Sequence, residues 1–579
     1  MTKLRRFSWR GPKRIGPGRR GVAAAAAVGA LALVLSACTT ATSVDQVSSS
    51  GSSDQPSTSA GSAPSAGSGS ASSGDTGTAT PAGGETLTID SSFIVTSMDP
   101  SRAVTPTQSV ATRAMYDTLL RTHGEDTTPE PSVAKSFDAS DDAKTYTFHL
   151  RDDVTFADGS KLTSADVLFS FKRLAALKLG GSYLMDGLTV TAPDPETVVI
   201  ASKDPKPAIP IIVTTPAFAI LNSAMVKAAG GTDAADAPDK DKADTWFNSH
   251  SAGSGPYVLQ SYKTDDSITL VRNDKYWGQD KGQFDRIVIR NMTAATQLLN
   301  VQRGKNEIAL DLSATQSATL KGKDGVTVKT DPSSSVFRVQ MNMDPEASKV
   351  ASNPHIQAAV RYGINYDAIV QLGGDGAVQA AGIVPSTLPG SLPASEAIHQ
   401  DVAKAKSELA ASGIDKPSLT LTYPSDINVN GLEFATLAQR VAADLQAIGF
   451  TIKLEAQPVA TYLPEWVKGK TEMTLTYNYP DYMDSSYYSS FVPGTSSDSQ
   501  RAGWNTDVPE LSKLRDEINS TVDADKRASL MQDLQRKFNT DSPYIPLMQT
   551  AQTVVSTSNL TNVVLDPSWI LDVAAIGTK

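Results

Sequence analysis

The sequence predicts an α/β protein built in more than one lobe, and three observations carry that prediction. The first is a run from Ser418 to Leu454. Ser418-Leu419-Thr420-Leu421-Thr422-Tyr423 alternates with the strand period of two. After a turn at Pro424-Ser425-Asp426, Phe434, Leu437, Val441, Leu445 and Ile448 fall three and four apart on one helix face, with Gly449 placed to cap it. Phe450, Ile452 and Leu454 then alternate again. Strand, helix and strand in that order make a βαβ unit, with a parallel sheet and a right-handed crossover. The second observation is a further capped helix just ahead of it, from Asp401 to Ala411 with Gly413 following. The third is length: residues 85–579 suffice for about three domains, and no internal repeat divides them.

The elements before that region follow in order. Lys3, Arg5, Arg6, Arg10, Lys13, Arg14, Arg19 and Arg20 form a basic head without an acidic residue, and an apolar stretch runs from Val22 to Leu35. A basic head, a short apolar core and small residues before a cut site make an export signal. The stretch falls short of the roughly 20 residues of a membrane span. It ends in Leu35-Ser36-Ala37-Cys38, which holds the only cysteine of the chain. This arrangement resembles the lipobox of bacterial lipoproteins; the alternative is an ordinary buried cysteine. The resemblance implies that residues 1–37 are removed and that Cys38 takes a lipid. The chain is then held outside the cytoplasmic membrane by that lipid alone. The twin arginines Arg5-Arg6 and Arg19-Arg20 sit in a poor context for the twin-arginine route, so the export route stays open.

Residues 38–84 are almost entirely Ser, Gly, Ala, Thr and Pro, too poor in apolar side chains to offset chain entropy. They read as a disordered tether with an end-to-end distance of about 35–40 Å. Order is expected from Glu85, with Leu87, Ile89 and Phe93-Ile94-Val95 reading as strand. The chain has 52 basic and 62 acidic residues; losing the eight basic residues of the head brings the net charge from −10 to about −18. Such a surface argues against nucleic acid and against electrostatic adhesion to anionic lipid. With no second cysteine, the fold stands on its core without disulfides.

Catalytic and metal signatures are sparse. His123, His149, His250, His355 and His399 are widely spaced, and no HExxH, paired CxxC or calcium loop is present, so no metal or other cofactor is expected. Ser132-Val133-Ala134-Lys135 fits the SxxK pattern of exported acyl-enzymes, but the partner motifs Ser-Asp-Asn and Lys-Thr-Gly are missing. Gly373-Gly374-Asp375-Gly376 reads as a turn, since no phosphate-loop lysine follows.

Several blocks together resemble one family. Pro131-Ser132-Val133-Ala134-Lys135-Ser136-Phe137 is followed by Tyr146-Thr147-Phe148-His149-Leu150-Arg151, by Val154-Thr155-Phe156-Ala157-Asp158-Gly159-Ser160 and by Leu162-Thr163-Ser164-Ala165-Asp166-Val167. By its residues this run reads as strands, an Asp-Gly hairpin turn and a helix capped by Thr163 or Ser164. Gly253-Ser254-Gly255-Pro256-Tyr257, Arg272-Asn273-Asp274-Lys275-Tyr276-Trp277-Gly278, and Ala358-Ala359-Val360 with Ile364-Asn365-Tyr366-Asp367 come next in order. The chain resembles the solute-binding proteins of ABC importers, in the class that takes up peptides, nickel chelates and some oligosaccharides.

That resemblance implies a two-lobed, periplasmic-binding-protein-like fold, hinged on two chain crossings, with an extra subdomain in the first lobe. The first lobe would comprise residues 85–125, 245–343 and 542–579, the added subdomain 126–244 and the second lobe 344–541. It further implies a monomer without catalytic activity that passes a small solute, by preference a short peptide, to a permease and ATPase complex. In peptide-binding members an aspartate in the matching Asp-Tyr stretch holds the peptide's α-ammonium group, and Asp481 is the matching position. Two departures stand out: Asn478 replaces a tryptophan three residues earlier, and Asp484-Ser485 replaces Asp-Pro. Tyr477 and Tyr479 are candidates for the missing aromatic wall, since an extended segment puts them on the face of Asp481. Trp504, in Gly503-Trp504-Asn505, is a further candidate for ligand contact or packing. The rival readings are an oligosaccharide or nickel-chelate receptor on the same fold, an exported serine acyl-enzyme using Ser132, and a sensory or adhesive lipoprotein.

Overall fold

One sheet of 11 strands runs through the molecule and changes character at its middle. The computed structural model describes residues 84–579, except 93, 94, 103, 104, 495, 496 and 569. The signal, Cys38, the tether up to residue 83 and the strand reading of Phe93-Ile94 therefore lie outside the described residues. On one side the order is Thr451–Gln457, Ser418–Pro424, Met473–Asn478 and Val326–Met341; on the other it is Tyr544–Thr557, Glu307–Ala309, Thr86–Ser91, Arg286–Asn291, Ser267–Arg272 and Tyr257–Lys263. The short strand Val378–Gln379 adds to Tyr544–Thr557. Each side has its own core. Leu87, Ile89, Ile287 and Leu270 centre the first lobe, and Phe337, Val339, Leu421, Phe434 and Val441 the second.

The βαβ unit forms as its periods dictate. Ser418–Pro424 pairs in parallel with Thr451–Gln457 along its whole length, and the helix Phe434–Ile448 lies between them in sequence. Phe434, Leu437, Val441, Leu445 and Ile448 are all buried. Gly449 ends the helix at φ 118°, a left-handed position that glycine adopts without a Cβ clash, and its N–H bonds back to the Leu445 and Gln446 carbonyls. A small hairpin, Asn428–Val429 with Leu432–Glu433, precedes the helix where only a turn was expected. Helix Val402–Ala411 is capped by Asp401, and helices Pro354–Gly363 and Tyr366–Leu372 by Asn353 and Asn365.

The added subdomain is an antiparallel sheet, Ala134–Ala139, Thr145–Leu150, Thr197–Ser202 and Leu188–Asp194, with helix Ser164–Leu177. Asp158-Gly159 turns the chain between the bridged Thr155 and Lys161, with Gly159 at φ 92°. Asp166 accepts from the Thr163 N–H and hydroxyl at 3.0 and 3.1 Å, closing the helix start. From that helix Arg173, fully buried, makes two bonds each to Asp99 (2.9 and 2.6 Å) and Asp241 (2.8 and 2.9 Å). The Gly253–Tyr257 block is glycine-rich because backbone passes it closely. A Cβ on Gly253 would lie 2.0 Å from the Met115 carbonyl oxygen.

Two strands carry the chain between lobes. Val326–Met341 and Tyr544–Thr557 run antiparallel from Val326 opposite Thr557 to Gln340 opposite Tyr544, with register shifts between Pro332 and Val336 and between Phe337 and Arg338. At the first shift Ser333, Ser334 and Ser335 are buried. Ser333 shares a hydrogen bond with Thr550 (3.1 Å), Ser334 with Thr387 (2.9 Å), and the Gln549 amide donates to the Ser333 carbonyl. A bulge of this kind bends a ribbon without ending its pairing.

Candidate functional site

The site grows from the end of a second-lobe strand. Met473–Asn478 pairs with the crossing strand Val326–Met341, Asn478 lying opposite Val336. Beyond Asn478 the pairing stops, and residues 479–484 form a loop before the 3-10 helix Ser485–Phe491. Asp484 starts that helix by accepting from the Ser486 N–H at 2.8 Å, and it also pairs with Arg527 at 3.1 Å.

Asp481 faces the first lobe. Its Oδ2 accepts a hydrogen bond from the hydroxyl of Tyr183, which belongs to the 3-10 helix Gly180–Met185 of the added subdomain. The two residues are 298 positions apart in sequence, so this contact crosses the cleft. They border a cavity of about 910 Å³, shared between the added subdomain (Asp186, Lys203, Lys206) and the second lobe (Tyr482, Tyr487, Asp498, Arg501). That is room enough for a small organic solute. Asp481 is exposed toward the cavity, yet protein crowds it. Burial pushes it above its ordinary value, the Tyr183 hydrogen bond opposes this, and Asp498 adds to it. Asp498 has partners of its own, Arg501 at 2.9 Å and Ser490 at 3.3 Å. Among the described residues Asp481 has no cation within 4.0 Å.

The other candidates are placed differently. Tyr477 is half-buried and packs on Phe337 and Phe434, with ring centroids 5.9 and 6.1 Å away, on the helix side of the second-lobe sheet. The expected shared face of Tyr477, Tyr479 and Asp481 is not kept, because the strand ends at Asn478 and the alternation ends with it. The Tyr479 hydroxyl is buried without a hydrogen-bond partner, and burial raises its pKa strongly. Trp504 is 7 % exposed and packs against Phe538 (5.8 Å) and Tyr544 (6.1 Å). Neither tyrosine nor Trp504 borders the 910 Å³ cavity. Sequence reasoning missed Tyr183, Lys206 and Tyr487, which no motif singled out, and passed over Tyr482 of the Asp-Tyr stretch. Ser132 is buried ahead of a strand and Lys135 is exposed on it, so the helical turn that an SxxK pair requires is not formed.

Residues 128–500, well over half of the chain, match the family described as bacterial extracellular solute-binding proteins, family 5 Middle. The chain belongs to that family. A probable D,D-dipeptide-binding periplasmic protein, DdpA of Escherichia coli K12, is 27% identical to this solute-binding protein over 468 residues, 78% of this chain and 86% of the relative. The dipeptide-binding protein DppE of Bacillus subtilis 168 is 25% identical over 532 residues, 85% and 92% of the two chains. Among solved structures, the binding protein DppA of Helicobacter pylori in complex with the peptide STSA superposes with a TM-score of 0.71 at 22% identity, covering 86% of this chain and 98% of that one. NikZ of Campylobacter jejuni in complex with Ni(L-His) gives 0.68 at 19% identity, covering 83% and 95%. These structures establish the two-lobed fold for the solute-binding protein described here. Among the described residues no helix is long and apolar enough to cross a membrane.

Proposed function

We propose that this solute-binding protein captures short peptides outside the cell, held at the membrane by a lipid on Cys38, and delivers them as a monomer to an ABC permease and ATPase. The observation that carries the reading is Asp481: a carboxylate open to a large cavity, without a cation of its own among the described residues. A peptide's α-ammonium group is the natural counter-charge. A charge-assisted pair contributes about 1.5–3 kcal/mol, equivalent to roughly tenfold to 150-fold in affinity. The names of the curated relatives, dipeptide-binding among them, support the same cargo. Tyr183 then has two uses: it holds Asp481 when the cleft is empty and borders the peptide's amine when it is full. Binding of this kind uses no catalytic group, since the solute itself stabilises the closed state.

Mass spectrometry of solute released from the purified protein by mild denaturation tests the proposal. A set of peptide masses is the expected result; glycan or chelate masses would overturn it. Loss of peptide uptake in a strain lacking the protein separates import from a sensory role.

A further inference from the structure

Two features of the second lobe border no part of the cavity: the glycine-rich run Gly373-Gly374-Asp375-Gly376 and the hairpin Asn428–Val429 with Leu432–Glu433. Both reach the same short helix on the first-lobe side of the sheet. That helix, Ala314–Ala318, is closed at its start by Ser313 and Gln316, and Leu312 and Leu320 on either side of it pack with Ala309 and Val301. A Cβ on Gly374 would overlap the Ala314 methyl, and one on Gly431 would lie 2.5 Å from the Ser313 Cα. At both places bare backbone of the second lobe rests on the first, with no flexible side chain between them to yield. The seat is tied on each flank. Lys321, just past the helix, pairs with Asp375 at 2.7 Å. The Asn430 amide donates to the Thr550 hydroxyl at 2.8 Å, and Thr550 also bonds Ser333 in the flexed segment of the crossing ribbon.

The seat lies on the cleft side. The hairpin follows the carboxyl end of Ser418–Pro424 as Asp481 follows that of Met473–Asn478, and those two strands run parallel. The helix likewise follows the carboxyl end of Glu307–Ala309, which runs parallel to Thr86–Ser91. Carboxyl ends of parallel strands are the edge at which open α/β sheets face their ligands. Rotation that shuts the cleft presses these surfaces together, and rotation that opens it parts them. We infer that this seat is the stop of the closing motion: the lobes rotate until Gly374 and Gly431 meet Ala314 and Ser313, and the bare backbone there sets the closed angle. The glycine run that reads in sequence as a plain turn is then a bearing surface. Close-packed atoms yield little, so added bulk at the seat holds the lobes apart and lowers the closed population. The stop serves whatever solute the cleft holds.

Zero-length carbodiimide coupling on the purified full chain tests this, because it joins the Lys321 amine to the Asp375 carboxyl only when the two touch. Coupled peptides are counted by mass spectrometry against Lys513–Glu517, a pair within one helix. The parent protein should give the Lys321–Asp375 product. Ala314→Val and Ala314→Leu should lower its yield in that order, the second about fivefold or more. Thr315→Leu adds bulk at an exposed position of the same helix and should leave the yield unchanged. Absence of the product in the parent, equal yields from the parent and both Ala314 variants, or an equal fall in Thr315→Leu would overturn the inference. Small-angle scattering separates a moving stop from fixed packing: the radius of gyration should fall on coupling or rise in Ala314→Leu, and a radius unmoved by both would overturn it.

Discussion

Two sets of charges in this molecule are handled in opposite ways. In the first lobe Arg173 is shut away from water, and each edge of its guanidinium meets a carboxylate, Asp99 on one side and Asp241 on the other. In the cleft, among the described residues, Asp481 meets a tyrosine hydroxyl but no cation within 4.0 Å, and Lys206 no carboxylate within 4.0 Å. The first arrangement is closed, and its removal unbalances the core. The second is open, and only an added molecule completes it. On the reading proposed above, incomplete pairing at a crowded site, rather than charge as such, is the mark of function.

The comparison breaks most visibly at Arg173. Arg173→Met leaves Asp99 with Arg102 at 3.4 Å and Asp241 with backbone N–H groups alone, and should lower unfolding free energy by about 3 kcal/mol in urea titrations, with the dissociation constant of the remaining folded protein unchanged. Asp481→Asn should do the reverse: binding of free-amine peptides weakens about tenfold to 150-fold by calorimetry, while the unfolding midpoint stays in place. A pH series sharpens the contrast. A bound ammonium favours ionised Asp481, whose pKa in the empty cleft is raised. Affinity should therefore be full above that pKa and fall as pH drops through it, and Asp481→Asn should flatten this fall. Tyr183→Phe removes a hydrogen bond that lowers the Asp481 pKa, so the fall should move to higher pH, with affinity near neutrality reduced about fivefold. The smallest effect belongs to Lys513→Ala, which removes a largely exposed pair with Glu517 and should leave both the unfolding midpoint and the binding curve where they were.

What the sequence made legible is local. The helix ending at Gly449, the Thr163 cap and the Asp158-Gly159 turn each rest on residues within a few positions of one another, and all form as read. Asp481 could be singled out because its neighbours resemble a known motif. The Tyr183 contact could not, because it joins residues 298 apart and depends on how the subdomain meets the second lobe. Parity failed for Tyr477 and Tyr479 for a related reason: alternation holds only while a partner strand continues, and pairing stops at Asn478. Trp504 is an aromatic whose spacing is silent on its surroundings; it packs beside Phe538 and Tyr544. Lys206 is one of many lysines until the fold half-buries it beside a cavity.

The ribbon joining the lobes has one more consequence. Because Val326–Met341 and Tyr544–Thr557 stay hydrogen-bonded on both sides of the shift at 332–336, neither lobe can slide along the other without breaking a ladder of main-chain bonds. The motion left to them is rotation about a short flexed segment, as in a flexure cut from one sheet of metal rather than a pin through two plates. Such a joint has no play. A joint of that kind would return the two faces of the cleft to one spacing each time it closed.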